Sequence, residues 1–218
     1  MVPESPAPSG FYHLYAVVEG LPRRWRPPAT GVGGGPVVAR AAAELTLIVT
    51  PLAAPIGRTP AALAAHDDVV VGLLECRAVV PLRFGTTLAA AQLDRWLALH
   101  LARVRAALAE VRGSVEMSVR LLRLDAGGAA GVSLGALADQ LIERAGCASW
   151  RYVPAGRAPN ASASLAFLVR RDDVQSFLAR IAPVASRAEG VAVVPSGPWP
   201  PYSFAPALDP TLPTALAG

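Results

Sequence analysis

Residues 11–18 (FYHLYAVV) form an aromatic and β-branched run without Asp, Glu or Arg, which predicts a buried first strand. Residues 21–35 break that pattern with prolines, arginines and the run Gly31, Val32, Gly33, Gly34, Gly35, and read as a loop. Two short extended pieces at 37–40 and 44–50 follow and can pair as a hairpin. Thr59 and Pro60 supply an N-cap and a proline at the first helical position. They open a helix through Leu63, His66, Val70, Leu73 and Leu74 to about Cys76. Residues 78–84 (AVVPLRF) read as another strand, with Arg83, Phe84 and Gly85 turning out of it. Between 88 and 112, Leu93, Leu97, Leu101, Val104, Leu108 and Val111 recur every three or four residues. That spacing predicts a long amphipathic helix, ended by Gly113.

Beyond Gly113 the period changes to two: Val115, Met117, Val119 and Leu121 alternate with Glu116, Ser118 and Arg120, the mark of a half-buried strand. After a glycine-rich turn at 126–131, Ser133 is placed to cap a helix bearing Leu134, Leu137, Leu141 and Ile142, which Gly146 ends. Strands are predicted at 150–153 and 164–169, joined by a polar loop over 154–161. Asp172 or Asp173 then caps a helix with Val174, Phe177, Leu178 and Ile181, which Pro183 kinks or ends, before a strand at 191–194.

The order βαββαβ in this half is that of a ferredoxin-like sandwich, and the first half reads as a variant of it. The expectation is an α+β protein of two domains, residues 1–112 and 113–218. Residues 197–204 (GPWPPYSF) close the second domain as a proline-stiffened, charge-free segment. Fixed φ angles and missing N–H donors predict a polyproline-like strap that joins no ladder. Burial of Trp199, Tyr202 and Phe204 offers on the order of 10 kcal/mol as an upper bound, so the strap packs on its own chain or on a partner.

At 53% apolar residues the chain has ample material for real cores. Its +4 formal charge comes from 20 arginines against 16 acids, with no lysine. Split after Arg112, the halves hold 11 arginines against 8 acids and 9 against 8, so neither is a basic nucleic-acid module. Residues 1–10 carry neither a basic n-region nor an apolar h-region, and the richest apolar stretch, 36–56, is broken by Arg40, Glu44, Pro51 and Pro55. Neither export nor a membrane span is expected. Cys76 and Cys147 lack any CxxC or histidine companion and read as buried thiols of a reducing cytoplasm; the sequon at Asn160 is then a chance match.

Candidate chemistry is sparse. The glycine run is followed by Pro36, with no Gly-Lys-Ser/Thr, so it reads as a connection rather than a phosphate cradle. His13, His66 and His100 are scattered along the sequence without ligand spacing, and His66 on the apolar stripe of its helix reads as a hydrogen-bonded structural histidine. No GxSxG occurs, and the pairs Asp67/Asp68 and Asp172/Asp173 read as charges at helix starts. No catalytic residue, cofactor or metal is therefore assigned. Arg23, Arg24, Trp25 and Arg26 form one small basic cluster with an aromatic inside and read as an exposed loop. Trp150 and Tyr152, alternating on one strand, keep open an alternative: a ferredoxin-like ligand-sensing or RNA-binding module.

Several segments together, FYHLYAVV, GVGGGPV, VVPLRFGT (79–86), VEMSVR (115–120) and GPWPPYSF, resemble the gas vesicle protein F/L family over residues 11–204. Pro81, Arg83, Phe84, Gly85 and Thr86 with the terminal strap are the sharpest matches. Relatives often carry a longer helical excursion at 125–150 and a lysine where Arg120 stands; the short second domain leans towards the F type. The resemblance implies two α+β domains, the first a modified ferredoxin-like fold, and a non-enzymatic accessory or minor structural role in gas vesicle formation. The partners it implies are the small hydrophobic major shell protein and other gas vesicle accessory proteins, at the vesicle or in the cytoplasm. Arg83, Phe84, Trp199, Tyr202 and Phe204 are the candidate partner-binding residues.

Overall fold

The structure, a computed structural model, describes residues 10–42, 44–124, 133–154 and 162–210. They fall into two compact units, one holding the residues up to Arg112 together with those from Phe204 onward, the other Gly113–Ser203. Both are α+β, with helices set among antiparallel strands. The segment from Phe204 thus packs with the first unit, whereas the sequence reading counts it with the second domain.

In the first unit, β1 (Phe11–Glu19), β2 (Val38–Ala42), β3 (Leu45–Leu52), α1 (Pro60–Val71), β4 (Ala78–Pro81), β5 (Thr87–Ala89) and α2 (Leu93–Val111) follow in that order. The sheet order is β2-β3-β1-β4, with β5 also pairing β1, and all pairings are antiparallel. The hairpin of β2 and β3 is as expected. β1 is central and buried along nearly its whole length, because both its faces are covered. His13 and Tyr15 look towards α1, whereas Tyr12 looks the other way, its hydroxyl receiving Arg40, which reaches Asp94 of α2. A strand covered on both faces reads as a continuous apolar run, which is how FYHLYAVV differs from an alternating strand.

Two boundaries differ from the sequence reading. α1 stops at Val71, since Gly72 to Cys76 continue only as turns, and Thr59 caps it by accepting from the Ala62 N–H at 3.1 Å. The residues before Leu93 do not belong to α2: Thr87–Ala89 pair with β1, and Ala90–Gln92 make a short 3-10 turn. α2 buries Leu93, Leu97, Val104, Leu108 and Val111 of the predicted stripe, with Leu101 only half-buried, together with Trp96 and His100.

The second unit runs β6 (Ser114–Arg123), α3 (Leu134–Ala145), β7 (Trp150–Val153), β8 (Ser162–Arg170), α4 (Val174–Ala185) and β9 (Val191–Trp199). The strand order β7-β8-β6-β9 is that of a ferredoxin-like sandwich. Val115, Met117, Val119 and Leu121 face α3 and α4, where Phe167 and Phe177 stack at 5.3 Å between ring centroids. Gly146, at φ +60°, ends α3 in the left-handed region, as a C-terminal glycine should. Ser133 and Asp173 occupy N-cap positions without a capping hydrogen bond from their side chains. Pro183 stands inside α4, which continues to Ala185. The glycine-rich turn at 126–131, the loop at 155–161 and the sequon's Asn160 lie outside the described residues.

The strap is corrected. β9 is not confined to 191–194 but runs to Trp199, pairing with β6 from Arg123↔Val191 to Glu116↔Trp199, so Trp199 does join a ladder while Gly197 and Pro198 fall in a register shift. The reason is position. β9 is an edge strand with a register shift opposite Glu116 to Ser118, and edges and bulges are where missing proline N–H groups do no harm. Gly197, at φ +125°, sits in that irregularity, where a Cβ would lie 2.9 Å from the Glu116 carbonyl oxygen and 2.9 Å from Met117 Sδ.

Candidate interaction surfaces

Glu116 alternates onto the face of β6 away from the helices, yet its side chain is buried. Its partners explain this. Oε2 accepts from the Ser203 backbone N–H at 2.8 Å, and Oε1 accepts from the Ser203 hydroxyl at 2.8 Å, with Ser118 Oγ at 3.5 Å. A carboxylate accepting several donors binds them about twice as strongly as a neutral acceptor, so Glu116 anchors the segment after β9. Sequence reasoning quoted Glu116 only as the polar member of an alternating strand. The signal was present in the neighbouring Met117 and Val115 pattern, but its partner lies 87 residues away.

The anchored segment divides its aromatics. Trp199 stands 45% exposed at the end of β9, its indole N–H donating to Ser196 Oγ at 3.3 Å. Tyr202 is half-buried and Phe204 is buried, both within a short 3-10 turn. Val194 adds a second exposed apolar side chain on the same strand, at 44%. No described strand pairs with the outer edge of β9. Trp199 and Val194 therefore line an open edge, while Phe204 is committed to its own chain. Further along, the Asp209 carbonyl accepts from Trp96 Nε1 at 2.7 Å and lies 3.2 Å from His100 Nε2, which seats the tail on α2.

In the first unit, residues 82–86 loop out between β4 and β5, which pair with adjacent parts of the same strand, β1. The Leu82 N–H donates to the Tyr15 carbonyl and the Leu14 N–H to the Thr86 carbonyl, holding both ends of the turn. Thr86 closes it by donating its N–H and its hydroxyl to the Arg83 carbonyl at 3.1 and 2.8 Å, and Gly85 supplies the positive φ of +94°. Arg83 points to solvent and Phe84 inward. The candidate pair Arg83 and Phe84 is thus split between a solvent-facing cation and a packing ring.

Under Phe84 the structure brings together two of the histidines that are scattered in the sequence. His13 Nε2 and His66 Nδ1 are 2.9 Å apart, both buried, and His66 Nε2 lies 3.0 Å from the Leu82 carbonyl. The Phe84 ring centroid is 5.3 Å from that of His13 and 5.8 Å from that of His66. Burial, and secondarily His66, lowers the His13 pKa from 6.5 to about 4; burial lowers that of His66. Both are neutral at pH 7. The reading of His66 as a hydrogen-bonded structural histidine fits this arrangement, and its partner is the part that sequence spacing conceals. Among the described residues no group of three or more His, Cys, Asp or Glu is placed to hold a metal ion.

The remaining candidates are structural. The Val32 N–H donates to the Tyr15 hydroxyl at 2.8 Å, and that hydroxyl meets Thr50 Oγ1 at 2.8 Å. Gly31 N–H donates to the Gly35 carbonyl and Gly34 N–H to the Gly31 carbonyl, so the glycine run spends its donors on itself and on Tyr15. A Cβ on Gly31 would collide with the Tyr15 hydroxyl and Thr50. Trp150 and Tyr152 pair in register with Phe167 and Leu165; Tyr152 packs against the core, whereas Trp150 is 41% exposed, which leaves one open ring on this strand rather than the pair. Cys76 is buried and Cys147 half-buried, with its thiol pKa raised by burial. No described helix is long and apolar enough to cross a membrane.

Residues 11–132 and 134–206 match the family model described as gas vesicle synthesis protein GvpL/GvpF. The chain is 30% identical to gas vesicle protein F2 of Halobacterium salinarum over 157 residues, 67% of this chain and 69% of that protein. In fold it is similar to the crystal structure of GvpF from Anabaena sp. PCC7120, with a TM-score of 0.77 at 14% identity, covering 91% of this chain and 97% of that one. GvpF from Microcystis aeruginosa gives 0.71 at 13% identity, over 90% and 99%.

Proposed function

The chain belongs to the gas vesicle synthesis protein GvpL/GvpF family, and from that premise we propose that it binds the hydrophobic major shell protein and assists gas vesicle assembly without catalysing a reaction. The observation that carries this reading is the open edge of β9, with Val194 and Trp199 exposed and the chain beyond pinned by Glu116 to Ser203. A small β-rich apolar subunit aggregates through its own edges and patches unless these are covered. Away from Pro195 and Pro198, which have no N–H to give, the edge strand offers main-chain hydrogen bonds to such a subunit, and exposed apolar side chains beside it cover its patches. The strand is rigid where it meets β6, so docking orders little additional chain.

Trp199 and Tyr202 are the contact residues of this reading, and Arg83 on its separate turn is a second contact. Phe84 and Phe204 hold those elements in place. The protein then acts at the gas vesicle or in the cytoplasm beside it, with the shell protein and other gas vesicle accessory proteins as partners.

The test is co-purification of the shell protein with the tagged full chain, comparing wild type, Trp199→Ala with Tyr202→Ala, and Arg83→Ala. Loss of capture in the double variant, with an unchanged melting temperature, supports the edge as contact surface. Undiminished capture by all the variants overturns the assignment of these residues.

A further inference from the structure

The histidine pair under Phe84 has a defined hydrogen-bond direction. The Leu82 carbonyl can only accept, so His66 Nε2 carries the proton and donates to it at 3.0 Å. In a neutral ring His66 Nδ1 is then the acceptor, and His13 Nε2–H donates to it at 2.9 Å. His13 Nδ1 is left as an acceptor facing the Thr87 hydroxyl at 3.5 Å. One chain of donors therefore runs from β5 through β1 and α1 to the first residue of the 82–86 turn.

We propose that the His13–His66 pair is a proton-sensitive latch that keeps the 82–86 turn closed and thereby sets how Arg83 is presented. A first proton from solvent binds His13 Nδ1, with the Thr87 hydroxyl turning to accept from it, and makes a buried cation. A second proton on His66 Nδ1 sets two N–H groups against each other at 2.9 Å and breaks the pair.

The groups of Tyr15, Thr50, Thr87, Asp67 and Arg83, all described residues near the pair, offset that charge poorly. Tyr15, whose ring lies 4.9 Å from that of His13, keeps its phenol neutral through burial and is bonded to Thr50 and Val32. Thr50 of β3 and Thr87 of β5 are the register partners of His13 and carry no charge. Asp67, next along α1, favours protonation of His66 but does not outweigh burial. Arg83 on the turn is a cation itself and is exposed. β3 and β5 flank His13 in register, His66 stands on α1, and the half-buried Phe84 ring packs on both imidazoles, so lifting the turn that carries Phe84 uncovers the pair to water.

The latch is a property of the first unit; only the part Arg83 plays in partner contact rests on the function proposed above. Nuclear magnetic resonance of the full chain tests it directly. Imidazole nitrogen shifts at pH 7 should show Nε2–H in both rings. Between pH 6.5 and 3, the Arg83 and Gly85 amides and the Phe84 ring should move as His13 and then His66 take up their protons, while Met117 and Phe167 signals stay still. Turn signals that do not move as the histidines protonate overturn the latch. So do imidazoles that titrate at the ordinary 6.5, or that stay neutral until the whole chain unfolds.

Phe84→Ala should raise the His13 midpoint by about one unit, a tenfold easier protonation. His13→Gln with His66→Gln should leave the turn signals flat with pH. Shell-protein capture that weakens at pH 4 in wild type but not in the double glutamine variant extends the latch to Arg83. Unchanged capture with an opening turn leaves the latch standing and removes Arg83 from the contact.

Discussion

Glu116 and Ser203 are joined by two hydrogen bonds of 2.8 Å, so a single buried carboxylate holds both the backbone and the hydroxyl at the end of the second unit. Glu116→Gln removes the charge from both bonds and replaces one acceptor oxygen by an NH2 that can only donate, which obliges the Ser203 hydroxyl to turn from donor to acceptor. It should destabilise the second unit by about 1–3 kcal/mol, whereas Ser203→Ala, which keeps the N–H bond, should cost about 1 kcal/mol. Urea denaturation followed by Phe167 and Met117 signals checks both values, and equal losses would contradict the double role of the carboxylate.

Gly197→Ala should destabilise by about 2 kcal/mol or more. The substitution combines a φ of +125° with a Cβ 2.9 Å from the carbonyl of Glu116, a backbone atom that cannot move aside cheaply. Thermal unfolding of the variant against wild type measures it.

The two aromatic ends of the strap should behave oppositely. Phe204→Ala empties a buried site and should lose about 3–4 kcal/mol, while Trp199→Ala removes a half-exposed ring and should lose less than about 1 kcal/mol. A comparison of denaturant midpoints distinguishes them, and it identifies Trp199 as the usable position for binding studies.

Stability should fall on mild acidification. His13 has a folded pKa near 4 against 6.5 when unfolded, so the unfolded chain takes up the proton first. The contribution of the neutral pair is complete above about pH 6.5, declines as the pH falls towards 4, and declines no further below it. The gap between the two values corresponds to about 3 kcal/mol. Denaturation curves at pH 7, 6, 5 and 4 should show this decline in wild type and a shallower one in His13→Gln.

Tyr15→Phe should cost about 1–3 kcal/mol, since it removes the acceptor of the buried Val32 N–H and the partner of Thr50 at once. Amide exchange at Val32 should accelerate in the same variant.

Much of the fold was legible in local pattern. The aromatic run 11–18, the three-and-four spacing of Leu93, Leu97, Val104 and Leu108, and the alternation of Val115, Met117, Val119 and Leu121 each signal an element because burial of one face repeats along the chain. Caps were less secure: Thr59 bonds as expected, while Ser133 and Asp173 hold the position without the bond. The candidate contacts were legible as motifs only, because exposure is not written in residue type. Arg83 and Phe84 are adjacent, yet one faces water and the other covers the histidines.

The strap shows most clearly where local reasoning ends. Its prolines and aromatics determined that residues 197–204 carry few donors and hold apolar surface in need of burial, although Tyr202–Phe204 coil into a 3-10 turn where an extended segment is predicted. Whether they join a ladder depended on the edge position of β9. The anchor of the segment, Glu116, lies 87 positions from Ser203, and the pairing of His13 with His66 arises across 53 positions. Periodicity records what each residue does to its neighbours in sequence, whereas hydrogen-bond partners and solvent access are decided by strands and helices that meet only when the chain is folded.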